Sequence, residues 1–316
     1  KAANKIREKW KRQIRQNFLV SLSVQLTTLP LVAYYYYEVP VYALILNLLI
    51  VSLLSAVLIN GIVATLLMCM GKIVVGRLWA GPVIMMLELL LDGIYVGVSW
   101  CSRLPGATKI VGQWPIQRII FYYLMLAATC LLIKNRTKKS GNRDGNRNTN
   151  ILLRKFLIVL IGSVVLLLVL RPVKSNHLMA VLDVGQGDAT LITLGEHAML
   201  IDAGPQDSGT KLQLYLQKQD INSLDYVILT HPDADHIGGA DVILTKFRCG
   251  QVMMNGQTKD TACYRDVEAA LTYKGYQATT PAAGSSYLLG DAKFTVLGPV
   301  QMTEDANNAS IAVLLT

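Results

Sequence analysis

Two histidines and two aspartates lie within six positions of one another, in the stretch Leu229-Thr230-His231-Pro232-Asp233-Ala234-Asp235-His236-Ile237-Gly238-Gly239. Four such groups brought together in a fold would repel and desolvate one another unless a cation compensated them. Imidazole nitrogens and carboxylate oxygens are also ligands that zinc and manganese accept. The spacing therefore predicts that these four side chains bind one or two divalent metal ions. A polar turn in which an aspartate caps the following helix is the less specific alternative.

Two more segments place acidic residues at the ends of predicted strands. Asp202 closes the strand His197–Asp202, and Asp188 lies in Asp183-Val184-Gly185-Gln186-Gly187-Asp188-Ala189. A buried carboxylate beside a metal loop can ligate the metal, or it can hold a ligand histidine by the other ring nitrogen. The two glycines allow a tight turn that brings the backbone close to another element. For either aspartate, an ordinary role in a turn is equally open.

Short apolar runs around these residues predict the elements that position them. Helical spacing is found at Thr210–Gln219, Ile237–Lys246 and Tyr264–Lys274. Strands are predicted at Leu178–Asp183, Ala189–Leu194, His197–Asp202, Tyr226–Thr230, Gln251–Met254, Ser286–Leu289, Ala292–Leu297 and Ala309–Leu315. Strands and helices mixed in this order indicate a layered α/β domain over residues 175–316.

The charge of the chain differs sharply between its halves. Only 16% of the 316 residues are charged, which argues against a single soluble domain. Residues 1–174 contain 22 basic and 5 acidic side chains, a net charge of +17. Residues 175–316 contain 8 basic and 16 acidic side chains, a net charge of −8. The two halves are therefore expected to be separate domains in different environments.

Long apolar stretches with few charges predict that the first half is an α-helical membrane bundle. A bilayer core of about 30 Å needs about 20 apolar residues per helix. The stretches of suitable length are Phe18–Tyr37, Val41–Val75, Ile116–Ile133 and Ile151–Leu170. Val83–Trp100 is ambiguous because it carries Glu88 and Asp92. If it spans the membrane, Val41–Val75 is one broken span; if it lies in the interface, Val41–Val75 is a helical hairpin that turns near Asn60-Gly61.

Basic segments predict the orientation of the chain. Residues 1–16 and 134–150 are rich in lysine and arginine, and the positive-inside bias places both in the cytoplasm. Ile151–Leu170 would then cross outward and leave the acidic half outside the cytoplasm. We expect a polytopic membrane domain at 1–133, a basic cytoplasmic loop at 134–150, a transmembrane helix and linker at 151–174, and the α/β domain at 175–316.

Residues 175–316 resemble the metallo-β-lactamase-like hydrolases, whose loop motif is H-x-H-x-D-H. They resemble more closely the outer domain of the ComEC family of competence proteins, in which the motif is H-x-D-x-D-H, as at residues 231–236. Other stretches similar to that family are Leu182–Ala189, Leu200–Gly204, Asn307–Val313, Ser23–Pro30 and Leu104–Ala107. The resemblance covers nearly the whole chain.

The resemblance implies a multi-pass channel of the inner membrane for DNA uptake in natural transformation. Its acidic half would be the N-terminal part of a metallo-β-lactamase-like αββα sandwich, with further ligands of the family expected beyond Thr316. The sequence is accordingly expected to be a piece of a longer protein. The implied partners are the lipid bilayer, DNA and other competence proteins. One DNA strand would pass through the membrane region, and the outer domain would contact the DNA backbone.

The implied activity is that of a metal-dependent phosphodiesterase or nuclease with two ions, zinc or manganese. His231 and Asp233 would hold one ion, and Asp235 and His236 the other. Asp202 would help to ligate or to orient, and Asp235 would orient the attacking hydroxide. Supporting roles are implied for Asp183, Gly185, Gln186, Asp188, Asn308 and Ser310. Two alternatives stay open, namely a membrane-anchored hydrolase of a small substrate and a channel with a non-catalytic metal-binding outer domain.

Overall fold

The computed structural model describes residues 2–69, 74–139, 162 and 177–316. The chain divides into two compact units, Lys1–Lys109 and Ile110–Thr316. The predicted span Ile151–Leu170 lies outside the described residues apart from Gly162, and so do residues 140–150 of the predicted basic loop.

The first unit is helical. Its helices are α1 (Ala2–Tyr36), α2 (Ala43–Cys69) and α3 (Val74–Ser102). Strand β1 (Glu38–Pro40) follows α1 and pairs with β2 (Thr108–Ile110) in a two-stranded sheet. The side chain of Asn47 in α2 donates to Gln25 Oε1 in α1 at 3.3 Å, a polar link of the kind that joins packed helices.

The alternative in which Val41–Val75 is a helical hairpin that turns near Asn60-Gly61 is wrong, because α2 runs through both residues without interruption. Asn60 Nδ2 donates to the Ala56 carbonyl at 2.8 Å, and the Thr65 hydroxyl donates to the Gly61 carbonyl at 2.8 Å. These polar side chains are therefore satisfied on their own helix and do not end it. Pro30 likewise lies inside α1 and does not break it.

Two helical segments in the described part of the chain are long and apolar enough to cross a bilayer, Lys11–Tyr36 and Ala80–Ser102. Leu53–Cys69 and Ile116–Leu131 are shorter apolar segments. The second long segment contains Val83–Trp100. Val83–Trp100 therefore has the length and composition of a membrane span.

The second unit begins with α4 (Ile116–Lys139), which continues six residues beyond its predicted end at Ile133. The added residues include three lysines and an arginine, which are good helix formers.

A six-stranded sheet and a three-stranded sheet form the framework of the acidic half. The strands of the larger sheet are β3 (His177–Val181), β4 (Thr190–Leu194), β5 (His197–Ile201), β6 (Ser223–Leu229), β7 (Arg248–Met254) and β8 (Ala278–Thr279), which neighbour one another in that order. The first three are antiparallel, whereas β5, β6, β7 and β8 run parallel. The smaller, antiparallel sheet has the order β11 (Ala312–Leu315), β10 (Ala292–Gly298), β9 (Ser286–Leu289).

Helices cover the sheet through the parallel connections. A short 3₁₀ turn (Gln206–Ser208) leads into α5 (Gly209–Lys218), and β6 is followed by α6 (Ala234–Ile237) and α7 (Ala240–Lys246). Helix α8 (Ala262–Lys274) follows β7. The prediction of one helix at Ile237–Lys246 therefore corresponds to two short helices separated by Gly238-Gly239.

Alternating side chains on the central strands build two cores. In β6, Val227 and Leu229 point to the core shared with the helices, and Ile228 points to the core shared with the small sheet. The period of two along a strand produces this division. The described residues thus form three layers, helices, sheet and sheet, as in a metallo-β-lactamase-like fold.

Candidate metal centre

The motif lies at the carboxyl end of the parallel strands. Strand β6 ends at Leu229, and His231 and Asp233 occupy the loop that follows, while Asp235 and His236 lie in the one-turn helix α6. Asp202 directly follows β5, the neighbouring parallel strand. Loops at this edge of a parallel sheet are where α/β proteins place their ligands.

Asp202 is buried, with 3% of its surface exposed, and it lies behind His236. One carboxylate oxygen accepts from the backbone N–H of Thr230 at 2.8 Å, and the other accepts from the Thr230 hydroxyl at 2.7 Å. The second oxygen is also 2.8 Å from Nδ1 of His236. Both oxygens are therefore committed to internal hydrogen bonds, which favours the orienting role predicted for Asp202 over a ligand role.

The contact with Asp202 determines how His236 is presented. Nδ1 faces Asp202, so Nε2 faces outward, 3.7 Å from Asp188 Oδ2 and 3.9 Å from Asp235 Oδ2. The hydrogen bond with Asp202 raises the pKa of His236 above its ordinary value, and burial opposes this only in part. Carboxylates that fix a ligand histidine by its second nitrogen are typical of metal sites.

His231 is held in the same way by two hydroxyls. Its Nδ1 lies 3.0 Å from the Thr230 hydroxyl and 3.1 Å from the Ser310 hydroxyl. Its Nε2 faces Asp233 Oδ2 at 3.9 Å. Burial lowers the pKa of His231, and the neighbouring ring of His236, 4.0 Å away between centroids, lowers it further. Because Nδ1 is occupied by these hydroxyls, Nε2 is the ring nitrogen of His231 that is available as a ligand atom.

Asp233 is paired with a lysine that the sequence pattern did not indicate. The Lys259 ammonium donates to Asp233 Oδ1 at 2.7 Å, and this hydrogen bond lowers the pKa of Asp233. Lys259 lies in the loop after β7, the next parallel strand. That position was the available signal, since residues after neighbouring parallel strands meet at one edge of the sheet.

The glycine-containing segment 183–189 lies against the start of α6. The Asp188 N–H donates to the Asp235 carbonyl at 3.3 Å, and the Asp188 carbonyl accepts from Gly204 at 2.9 Å. Gly187 has φ +151°, and a Cβ there would overlap the Asp235 carbonyl oxygen. The close backbone approach predicted for this segment is thus present, and it brings Asp188 to the site.

Three of the predicted supporting residues do not reach the histidines. Asp183 is exposed and accepts from the Gly185 N–H at 3.2 Å, which closes a local turn. Gln186 is exposed beside it. Asn308 donates to Asp305 Oδ2 at 3.0 Å.

The donor atoms lie in pairs rather than in a closed cage. In the part of the chain that the structure describes, no group of three or more His, Cys, Asp or Glu side chains is close enough to hold a metal ion. Two outward Nε2 atoms nevertheless face carboxylate oxygens at 3.7–3.9 Å, and both Nδ1 atoms are occupied. Imidazoles beside carboxylates are a donor set that suits a divalent ion of the zinc or manganese type, so the residues fit the group that the fold implies.

Comparisons with known proteins find matches in both halves of the chain. The family model "Competence protein" matches residues 1–136, and the model "Metallo-beta-lactamase superfamily" matches residues 182–260. The chain is 25% identical over 331 aligned positions to ComE operon protein 3 of Bacillus subtilis, covering 96% of this chain and 39% of that protein. The chain is also 28% identical over 235 positions to Recombination protein 2 of Haemophilus influenzae, covering 72% of the chain and 26% of that protein. A competence-protein region followed by a metallo-β-lactamase region supports a protein of the ComEC type.

The chain thus spans about two fifths and about one quarter of the length of these two relatives. Among solved structures, ETHE1 from Myxococcus xanthus is similar to 44% of the chain over 53% of its own length, with 20% identity and a TM-score of 0.30. A metallo-beta-lactamase from Staphylococcus aureus is similar to 45% of the chain over 39% of its own length, with 20% identity and a TM-score of 0.30. The metallo-β-lactamase-like fold of the acidic half is assigned from the family model and from the layer order described above.

Proposed function

We propose that this protein takes part in DNA uptake during natural transformation, and that its acidic half is a metal-dependent phosphodiesterase that acts on the DNA backbone. The observation that supports hydrolase activity is that two histidine rings are oriented in the same way. Each has Nδ1 held by the fold and Nε2 directed at carboxylates. The competence family supports the role in DNA uptake.

In this proposal His231 with Asp233, and His236 with Asp235, hold divalent ions of zinc or manganese. When bound, such ions lower the pKa of a water molecule and neutralise charge on a phosphate. Asp202 keeps the ring of His236 in one orientation and one tautomer. The Asp235 side chain is 47% exposed and would accept a hydrogen bond from the attacking water. Asp188 adds a third carboxylate on the side of His236.

We also propose that the domain acts outside the cytoplasm, from a multi-pass anchor in the inner membrane. The basic segments 1–16 and 134–150 support this orientation. The lengths of Lys11–Tyr36 and Ala80–Ser102 support the membrane anchor. One strand of DNA would pass through the membrane region. The acidic half carries −8 overall, so its field does not attract DNA, and contacts with the backbone must be local.

The test combines metal analysis with hydrolysis assays on the purified protein in detergent. We expect bound manganese or zinc and metal-dependent cleavage of DNA. His236→Ala should reduce metal affinity by about 100-fold or more, because a ligand is a stronger determinant than the groups that orient it. His197→Ala is the matched control, since His197 pairs with Asp225 at the opposite end of β5 and should leave both readouts unchanged.

The rival functions give different results in the same assays. If the protein binds metal and cleaves small phosphate esters but not DNA, its substrate is a small molecule and not DNA. Metal binding with no hydrolysis would indicate a non-catalytic binding domain. A purified protein that binds no divalent ion would contradict the hydrolase altogether.

A further inference from the structure

Lys259 makes the two halves of the candidate centre unequal. Its ammonium contacts Asp233 at 2.7 Å, beside His231. In the described part of the chain, the ion-pair contacts of Asp188 and Asp235 are instead to His236. His236 therefore faces two carboxylates, and among the described residues neither of them pairs with a lysine. His231 faces Asp233, whose charge is already paired with the Lys259 ammonium.

The loop that carries Lys259 is fixed by a buried polar network. Asn255, 2% exposed, donates to Gln257 Oε1 at 2.9 Å and to the Ala309 carbonyl at 3.1 Å, and it accepts from the Gln257 N–H at 3.1 Å. Gln257 in turn donates to the Thr303 carbonyl at 2.8 Å. The same network holds the segment before Ser310, which contacts His231. The network thus fixes the start of the loop from which the Lys259 side chain reaches Asp233.

We propose that Lys259 is an internal cation that competes with the metal ion at Asp233, so that the centre fills in two steps. This inference rests on the proposed function. His236 with Asp235 would hold the first ion. His231 with Asp233 would hold the second ion only after the ammonium leaves Asp233, because two cations at one carboxylate repel each other. The flexible, strongly hydrated lysine side chain, 46% exposed here, can move into solvent when displaced.

A manganese titration of the purified protein tests the two steps. We expect two affinities in the wild type, with the weaker one at Asp233. Lys259→Met should tighten the weaker step about tenfold or more, because a hydrogen bond to a charged group shifts an equilibrium by about that factor. Lys259→Arg should keep the two steps apart, and Lys211→Met, at an exposed lysine of α5, is the control that should change neither.

Lysine modification read by mass spectrometry tests the displacement directly, without an activity assay. We expect Lys259 to be protected in the metal-free protein and after the first ion, and to become several-fold more reactive after the second, with Lys211 constant. Equal affinities in the wild type, an unchanged weak step in Lys259→Met, or constant protection of Lys259 would each overturn the inference while leaving the proposed hydrolase intact. Absence of any bound manganese would overturn the proposed function and this inference with it.

Discussion

Asp202 is the residue on which the presentation of His236 depends. Replacing it with asparagine keeps the volume of the side chain but removes its negative charge. It also removes one of the two carboxylate oxygens that accept hydrogen bonds from Thr230 and His236. We expect Asp202→Asn to lower metal affinity by about 10–100-fold, as is typical when a group that orients a ligand is changed. Metal titration measures this loss. The control is Asp225→Asn, which removes the corresponding partner of His197; an equal loss in both variants would contradict the orienting role.

The two histidines respond to pH in opposite ways. The pKa of His236 is raised, so its proton stabilises the metal-free fold below the unfolded value near 6.5 and this contribution is lost as pH rises through the folded pKa. The pKa of His231 is lowered, so its contribution is present above 6.5 and is lost as pH falls below that value. A divalent ion requires both rings to be neutral.

We therefore expect metal affinity to fall as pH is lowered from about 8 to about 6, with His236 the proton competitor, because its pKa lies above the ordinary 6.5. Titrations with manganese over that range measure the dependence. In Asp202→Asn the midpoint should move to lower pH, because the hydrogen bond that raises the pKa is lost. A pH-independent affinity across the range would argue against imidazole ligands.

At the scale of the elements, the contact between the 183–189 segment and α6 has a glycine at its centre. Gly187→Ala would place a methyl group against the Asp235 carbonyl and 2.9 Å from Pro205 Cδ, in a conformation that L residues rarely adopt. We expect it to destabilise the fold by about 1–3 kcal/mol from strain and overlap, measured as a lowered unfolding midpoint.

Gly185→Ala separates these two causes. Gly185 has φ +80° but nothing within 4 Å of the added carbon, so it incurs backbone strain alone. A loss in Gly187→Ala no greater than in Gly185→Ala would mean that the close approach to Asp235 contributes nothing. A greater loss accompanied by weaker metal binding would link this contact to the position of Asp235 and Asp188.

The elements around the motif were predictable because local patterns define them. The apolar run before His231 is a strand, the next residues form a loop and a helix, and Asp202 ends the adjacent strand as predicted. Lys259 was not predictable in this way, since its place depends on the Asn255 network, which joins positions 54 apart in sequence. Asn60 and Pro30 do not end their helices, although such residues often end helices in water. In long apolar helices polar groups are satisfied internally, which overrides these local signals.

At the scale of the whole molecule, the net charge of the acidic half limits how the domain can meet DNA. A domain with −8 gains nothing from long-range attraction to a polyanion. In the proposed function, contact would therefore depend on the metal centre and on nearby ammonium groups such as Lys259, which contacts Asp233. The proposed membrane anchor would offset weak binding, because it would keep the hydrolase next to a DNA strand held by the membrane region.

The proposed orientation makes the two halves of the chain differ in access to reagents outside the cell. In a variant whose five native cysteines are replaced, Lys211→Cys on the exposed surface of α5 should react with a membrane-impermeant maleimide in cells whose inner membrane is intact. Lys139→Cys, at the end of α4 in the basic segment, should react only after the inner membrane is permeabilised. Labelling of both positions after permeabilisation shows that each cysteine can react, so a difference between them in intact cells reports the side of the membrane rather than burial. Labelling of Lys139→Cys alone in intact cells would place the acidic half in the cytoplasm, where it could not act on incoming DNA before the membrane is crossed.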